Sequence, residues 1–147
     1  MIVVVDASVA AMWFLPEEQA ETAALLLTSQ FELIAPDLIR LEVGSALLKA
    51  LRRKQIAPAD CEEALRTLLP AAVRFVPTSN HVFTAFGIAQ RLGGSIYDAT
   101  YISLAQSLDA PVITNDAQLA AIARKARVKA MMVSEGPRAI LQAQRRS

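Results

Sequence analysis

A chain of 147 residues, 54% hydrophobic and 20% charged, is long enough to bury a real core and lies far from the low-hydrophobicity, high-charge regime of disordered segments. Its net charge of +1 argues against the long basic track that would hold a nucleic-acid duplex by charge alone, so any such ligand must rely on a local patch or on metal ions. The one cysteine, Cys61, excludes an internal disulfide and a thiolate metal cage and suits a reducing compartment.

The mean hydropathy of +0.35 does not imply a membrane span, which needs about 20 consecutive apolar residues. The longest uncharged stretch, residues 75–90, contains Pro77, Thr78, Ser79, Asn80 and His81. Met1 to Val5 has no basic flank and meets Asp6 at once, so no secretory signal and a cytoplasmic location are expected. The apolar excess hints that a partner chain covers part of the surface.

In chain order, Ile2–Val5 is β-branched and reads as a strand, followed by helical spacing over residues 7–14 and 17–30. A second strand, 32–35, leads through Pro36 into helices over 37–53 and 58–69. A third strand, 73–76, precedes helices over 79–92 and 96–108, which Gly93-Gly94 separates. Strand 111–114, helix 116–126 and strand 128–133 complete the alternation, which predicts one α/β domain over 1–147 with five strands in a parallel sheet and helices on both faces. The tail, 136–147, reads as a last basic helix with a frayed, solvated end.

In open α/β sheets ligands bind beyond the carboxyl ends of strands. Asp6 directly follows the first strand, and Asp116 follows the fourth after Asn115. Asp98 stands at the start of the helix leading into that fourth strand. Glu42 shares a helix face with Leu38 and Ser45. Leu38 and Leu41 are expected to turn inward, which places Glu42 at the buried border of its helix. Four carboxylates drawn together repel unless protonated or bound to a cation, and no Lys or His stands within these motifs. A divalent ion is the natural neutraliser, and all-oxygen ligation favours Mg²⁺ or Mn²⁺ over zinc. Ser8, Ser45, Thr114 and Asn115 are the neighbours able to hold carboxylate oxygens or water. Such a site suits phosphodiester hydrolysis, whereas the acid–base route through paired histidines fails because His81 is the only one. His81 is expected at the surface or capping a helix. Asp37 and Asp60 are expected as caps or first-turn residues, and Arg52-Arg53-Lys54 as a helix-end cluster.

Asp6-Ala-Ser8, Pro36-Asp-Leu-Ile-Arg-Leu-Glu42-Val43, Tyr97-Asp98-Ala-Thr-Tyr-Ile-Ser-Leu-Ala105 and Ile113-Thr-Asn-Asp116 together resemble the PIN domain, specifically the toxin ribonucleases of VapBC toxin–antitoxin systems. That resemblance implies an α/β/α sandwich with a five-stranded parallel sheet. It also implies Mg²⁺ or Mn²⁺ held mainly by Asp6, Asp98 and Asp116, with Glu42 completing a catalytic quartet. It further implies an RNA substrate, a homodimer and a VapB-like antitoxin laid across a groove that would involve Trp13, Phe14, Leu25 and Leu26. Many relatives carry Asn where this chain has Ser45. A haloacid-dehalogenase-type phosphotransferase would need a second Asp at the place of Ser8. A response-regulator receiver would need a middle phosphoacceptor Asp, which is missing, and Lys129 would be the only candidate for its late lysine. A catalytically silent PIN module serving as a scaffold is the remaining alternative, and such modules usually lose one or more of the four acids kept here.

Overall fold

Three consecutive valines give the first strand no polar side to show, and in the computed structural model, which describes residues 1–146, all three are fully buried. This strand, β1 (Ile2–Val5), is the centre of a five-stranded parallel sheet with β2 (Glu32–Pro36), β3 (Arg74–Val76), β4 (Val112–Thr114) and β5 (Ala130–Met132), in the order β3-β2-β1-β4-β5. Val4 pairs with Ile34 on one side and Val112 on the other, and Val5 with Ile113. A strand covered on both faces has no reason to alternate, so a continuous apolar run is its signature. The chain builds outward from β1 to β3, then returns to the other side of β1 for β4 and β5. The reversal falls between β1 and β4, where such sheets open a crevice at their carboxyl edge.

Short helices follow β1. α1 (Ala7–Ala10) tightens into a 3₁₀ turn, Ala11–Trp13, and α2 (Ala20–Ala24) into another, Leu25–Thr28. α3 (Ile39–Arg52) buries Ile39, Val43, Leu47 and Ala50, a stripe at helical spacing. Leu41, expected to turn inward, lies two residues from Ile39 and so points the other way, 77% exposed, whereas Leu38 is partly buried against the core. α4 (Pro58–Glu63) passes through a π turn, Ala64–Leu68, into α5 (Leu69–Ala72). Pro70 there cannot donate a backbone hydrogen bond, which explains why the regular ladder breaks in front of it.

After a 3₁₀ turn, Thr78–His81, come α6 (Val82–Leu92) and α7 (Ile96–Leu108). α7 is buried without interruption from Ala99 to Ala105, because it lies across β1, β2 and β4 with α6 packed on its other side. Gly94 joins the two helices at φ +80, and a Cβ there would lie 2.4 Å from Ile122 Cδ1, so only glycine suits the link. His81, expected at the surface or capping a helix, does precede the first residue of α6, but its side chain makes no cap hydrogen bond there and is buried in this packing, with Nδ1 2.9 Å from Ser103 Oγ. Asp37 does not cap α3. Its Oδ1 instead accepts hydrogen bonds from the Thr78 amide and hydroxyl, at 3.0 and 2.6 Å, tying β2 to the segment after β3.

α8 (Ala117–Lys125) packs on β4 and β5. The tail forms α9 (Pro137–Arg145). It is not a solvated end, because Ile140 and Ala143 are buried and the helix docks on β5 and the Leu25–Thr28 turn. Ser147, the last residue of that tail, lies outside the described residues.

Candidate active site

The crevice between β1 and β4 is where the side chains of Asp6 and Asp116 emerge. The sheet ladder continues one step past β1, with the Asp6 amide donating to Ile113 carbonyl oxygen at 3.0 Å, so the first acid is fixed by strand pairing. Its carboxylate is 5% exposed. Oδ2 accepts hydrogen bonds from Ser8 Oγ at 2.6 Å and Thr114 Oγ1 at 2.8 Å. Each hydroxyl is in turn held by a backbone amide of the turn after β4: Asn115 N–H donates to Ser8 Oγ and Asp116 N–H to Thr114 Oγ1, both at 3.0 Å. Two amide dipoles thus reach Asp6 through two hydroxyls and lock the ends of β1 and β4 together. A buried carboxylate left without such donors would be costly.

Asp116 caps α8 with one oxygen, Oδ1, which accepts from the Gln118 and Leu119 amides at 2.9 and 3.3 Å. Its other oxygen takes no part in the cap. Asp98 is in the first turn of α7 but does not cap it, because Ser95 Oγ does so by accepting from the Asp98 amide at 3.0 Å. The Asp98 carboxylate is therefore free for other work. Glu42, half-buried on α3, accepts a hydrogen bond at Oε1 from the Tyr101 hydroxyl at 2.7 Å.

Burial is the main reason that Asp6 and Glu42 hold their protons more tightly than ordinary carboxyls, and that Asp98 is pushed up to about 6. Mutual repulsion adds to it: Asp116 and Asp6 act on Asp98, Asp116 on Asp6, and Asp6 and Asp98 on Glu42. These couplings place the four acids in one electrostatic neighbourhood. No cationic side chain offsets them among the described residues. Nor do three of these acids close into a ready metal cage among those residues. Oxygen-only donors carrying uncompensated negative charge fit a hard divalent cation.

The chain matches the PIN domain over residues 3–125. It belongs to the PIN domain family. It is 33% identical over 122 residues to Ribonuclease VapC3 of Pyrobaculum aerophilum, a match covering 82% of this chain and 93% of that protein. The fold is also that of Mycobacterium tuberculosis VapC20, described as a sarcin-ricin loop cleaving toxin. There the TM-score is 0.66 at 18% identity, covering 81% of this chain and 93% of that one. VapBC2 of Rickettsia felis, solved bound to a DNA fragment from its promoter, gives a TM-score of 0.62 at 14% identity over 90% of this chain and 98% of that one.

Within this PIN domain the remaining site candidates separate. Asn115 touches the cluster through its backbone amide only, and Ser45 is exposed, with no hydrogen bond to the acids among the described residues. Of the groove residues, Trp13, Phe14 and Leu25 are partly exposed. Trp13 donates its indole N–H to Ala23 carbonyl oxygen at 2.9 Å and meets Phe14 edge-on at a centroid distance of 6.3 Å. Leu26 is 1% exposed, on a 3₁₀ turn that packs against α9. Tyr101 and Ser95 were not singled out from the sequence. The signal for Tyr101 was its position three residues after Asp98, one helical turn along the same face.

Proposed function

We propose that this PIN domain is a metal-dependent endoribonuclease, the toxin component of a type II toxin–antitoxin pair, with Asp6, Glu42, Asp98 and Asp116 as its catalytic acids. The observation that carries this reading is the convergence of Asp6 and Asp116 at the β1/β4 reversal, with Asp98 and Glu42 within reach of their charges and no cationic side chain offsetting them among the described residues. The relationship to a protein named as a VapC ribonuclease supports the activity and the substrate class, RNA.

Asp6, Asp98 and Asp116 would hold the ion, with Mg²⁺ or Mn²⁺ as the best match to their oxygens. When bound, a divalent ion supplies charge stabilisation to a phosphodiester undergoing hydrolysis and promotes ionisation of water. The chain's own contribution is placement. Ser8 and Thr114 keep one oxygen of Asp6 occupied and its rotamer fixed, the α8 cap aims Asp116, and Ser95 relieves Asp98 of capping duty. Half-burial raises the affinity of Glu42 for a proton, the hydrogen bond from Tyr101 lowers it, and the charges of Asp6 and Asp98 raise it again.

A VapB-like antitoxin, a second copy of the chain as dimer partner and a cytoplasmic location belong to the same proposal, as does the whole chain forming one domain. No helix among the described residues is long and apolar enough to cross a membrane. Partly exposed Trp13, Phe14 and Leu25 offer the antitoxin its apolar contact. Expression of the chain without a partner should slow a bacterial host, and Asp6→Ala should restore growth. Persistent growth arrest by a folded Asp6→Ala protein would place the harm in binding and refute catalysis as its cause.

A further inference from the structure

We propose that Tyr101 is a positioning residue for the acid cluster: its hydroxyl engages Glu42 Oε1 and leaves Oε2 as the oxygen that can serve a divalent cation. The inference rests on reading the cluster as a cation site and adds to it a residue outside the four acids. Tyr101 is fully buried on α7. A phenylalanine would fill the same ring space without a polar atom to satisfy, and a buried phenol is worth its desolvation only where it finds a partner. That partner is Glu42, 59 residues away in sequence on α3, at 2.7 Å.

Glu42 needs such a tether. It has no other side-chain hydrogen bond among the described residues, and Asp6 and Asp98 both repel it. A half-exposed glutamate with three rotatable bonds lowers its energy by swinging toward water, away from the like charges. The hydroxyl opposes that swing with a charge-assisted hydrogen bond, the stronger kind of side-chain contact. Because Tyr101 and Asp98 share one helix, separated by a single turn, the same rigid element that presents Asp98 also sets the position of Glu42. Neighbours that orient metal-binding carboxylates commonly change metal affinity or activity 10- to 100-fold when removed.

The test is Tyr101→Phe in the purified full chain without partner, read by calorimetric titration with Mn²⁺, by steady-state cleavage of a fixed oligoribonucleotide, and by melting in chelator. The expected result is Mn²⁺ affinity lowered about tenfold and kcat lowered with KM unchanged. The metal-free melting temperature should move little, and Glu42→Gln combined with Tyr101→Phe should be no worse than Glu42→Gln alone. Unchanged Mn²⁺ affinity and kcat, a loss confined to metal-free stability, or additive effects in the double variant would each overturn the proposal. If Phe does not fold, 4-fluorophenylalanine at position 101 fills the oxygen's space without donating and repeats the test. A chain that folds with neither also overturns it, since the hydroxyl would then serve folding and not the site. A folded wild-type chain that neither binds Mn²⁺ nor cleaves RNA would sink the cation-site reading itself, whereas wild-type binding matched by Tyr101→Phe would sink only the role of Tyr101.

Discussion

Asp6 is the side chain on which most of the site's geometry converges, and its two hydroxyl partners differ in what they hold. Thr114 is fully buried and both donates to Asp6 and accepts from the Asp116 amide. Thr114→Val keeps the shape and removes both bonds, leaving Asp6 Oδ2 with Ser8 as its one side-chain donor and the Asp116 amide without its acceptor. It should cost about 1–3 kcal/mol in a urea melt of the metal-free protein, and a loss within about 0.5 kcal/mol, the range of neutral surface changes, would contradict the network. The pH dependence of the metal-free protein follows from the same group of acids. Burial and then the charges of Asp116 and Asp6 lift Asp98 from the ordinary 3.8 to about 6. A carboxyl with a raised folded value takes its proton more readily when folded. Its contribution is therefore present below the unfolded value and is lost as pH rises through about 6. His81 acts with the opposite sign. Burial lowers it below 6.5, so its contribution is intact above that value and lost as pH falls below it. In chelator, lowering the pH from about 7 to about 5 should therefore stabilise wild type relative to Asp98→Asn, as denaturant melts at both pH values would show. Identical slopes for the two proteins would remove the coupling.

At the scale of elements, the α6–α7 junction does more than connect. Gly94 passes under Ile122 of α8 at positive φ, and the next residue, Ser95, caps the helix that carries Asp98 and Tyr101. Gly94→Ala forces strain at a left-handed position and a clash at 2.4 Å that Ile122 can only partly relieve. It should cost about 1 kcal/mol or more and weaken Mn²⁺ binding along with stability, checked by melting and titration on one preparation; full stability would show that the junction is not strained. The strands were legible in the sequence because a parallel sheet covered on both faces demands unbroken apolar runs such as Ile2–Val5. Helix faces were less so. The stripe of Ile39, Val43, Leu47 and Ala50 was available to show that Leu41 points outward. The burial of His81 was not, because it depends on α6 closing over α7. Three of the acids stood out by following a strand or starting a helix next to one. Tyr101 did not, since its place one turn after Asp98 puts it on that acid's face but does not distinguish a buried tyrosine that fills space from one that holds a carboxylate across 59 residues.

For the molecule as a whole, one sheet order accounts for the site. The order β3-β2-β1-β4-β5 puts the strand bearing Asp6 beside the strand preceding Asp116, and lays α7 across both. The tail is part of this body and not an appendage, because Ile140 of α9 is buried. The result is four electrostatically coupled acids with no cationic side chain offsetting them among the described residues, an arrangement that predicts a bound divalent ion and phosphodiester chemistry. The most direct test is cleavage of total cellular RNA by the purified, partner-free chain with Mn²⁺ or Mg²⁺, beside Asp98→Asn and a chelator control, with the new 5′ ends mapped. Discrete ends that vanish in both controls are the predicted result. Intact RNA in the presence of metal and a folded wild-type chain, or the same ends from Asp98→Asn, would contradict it.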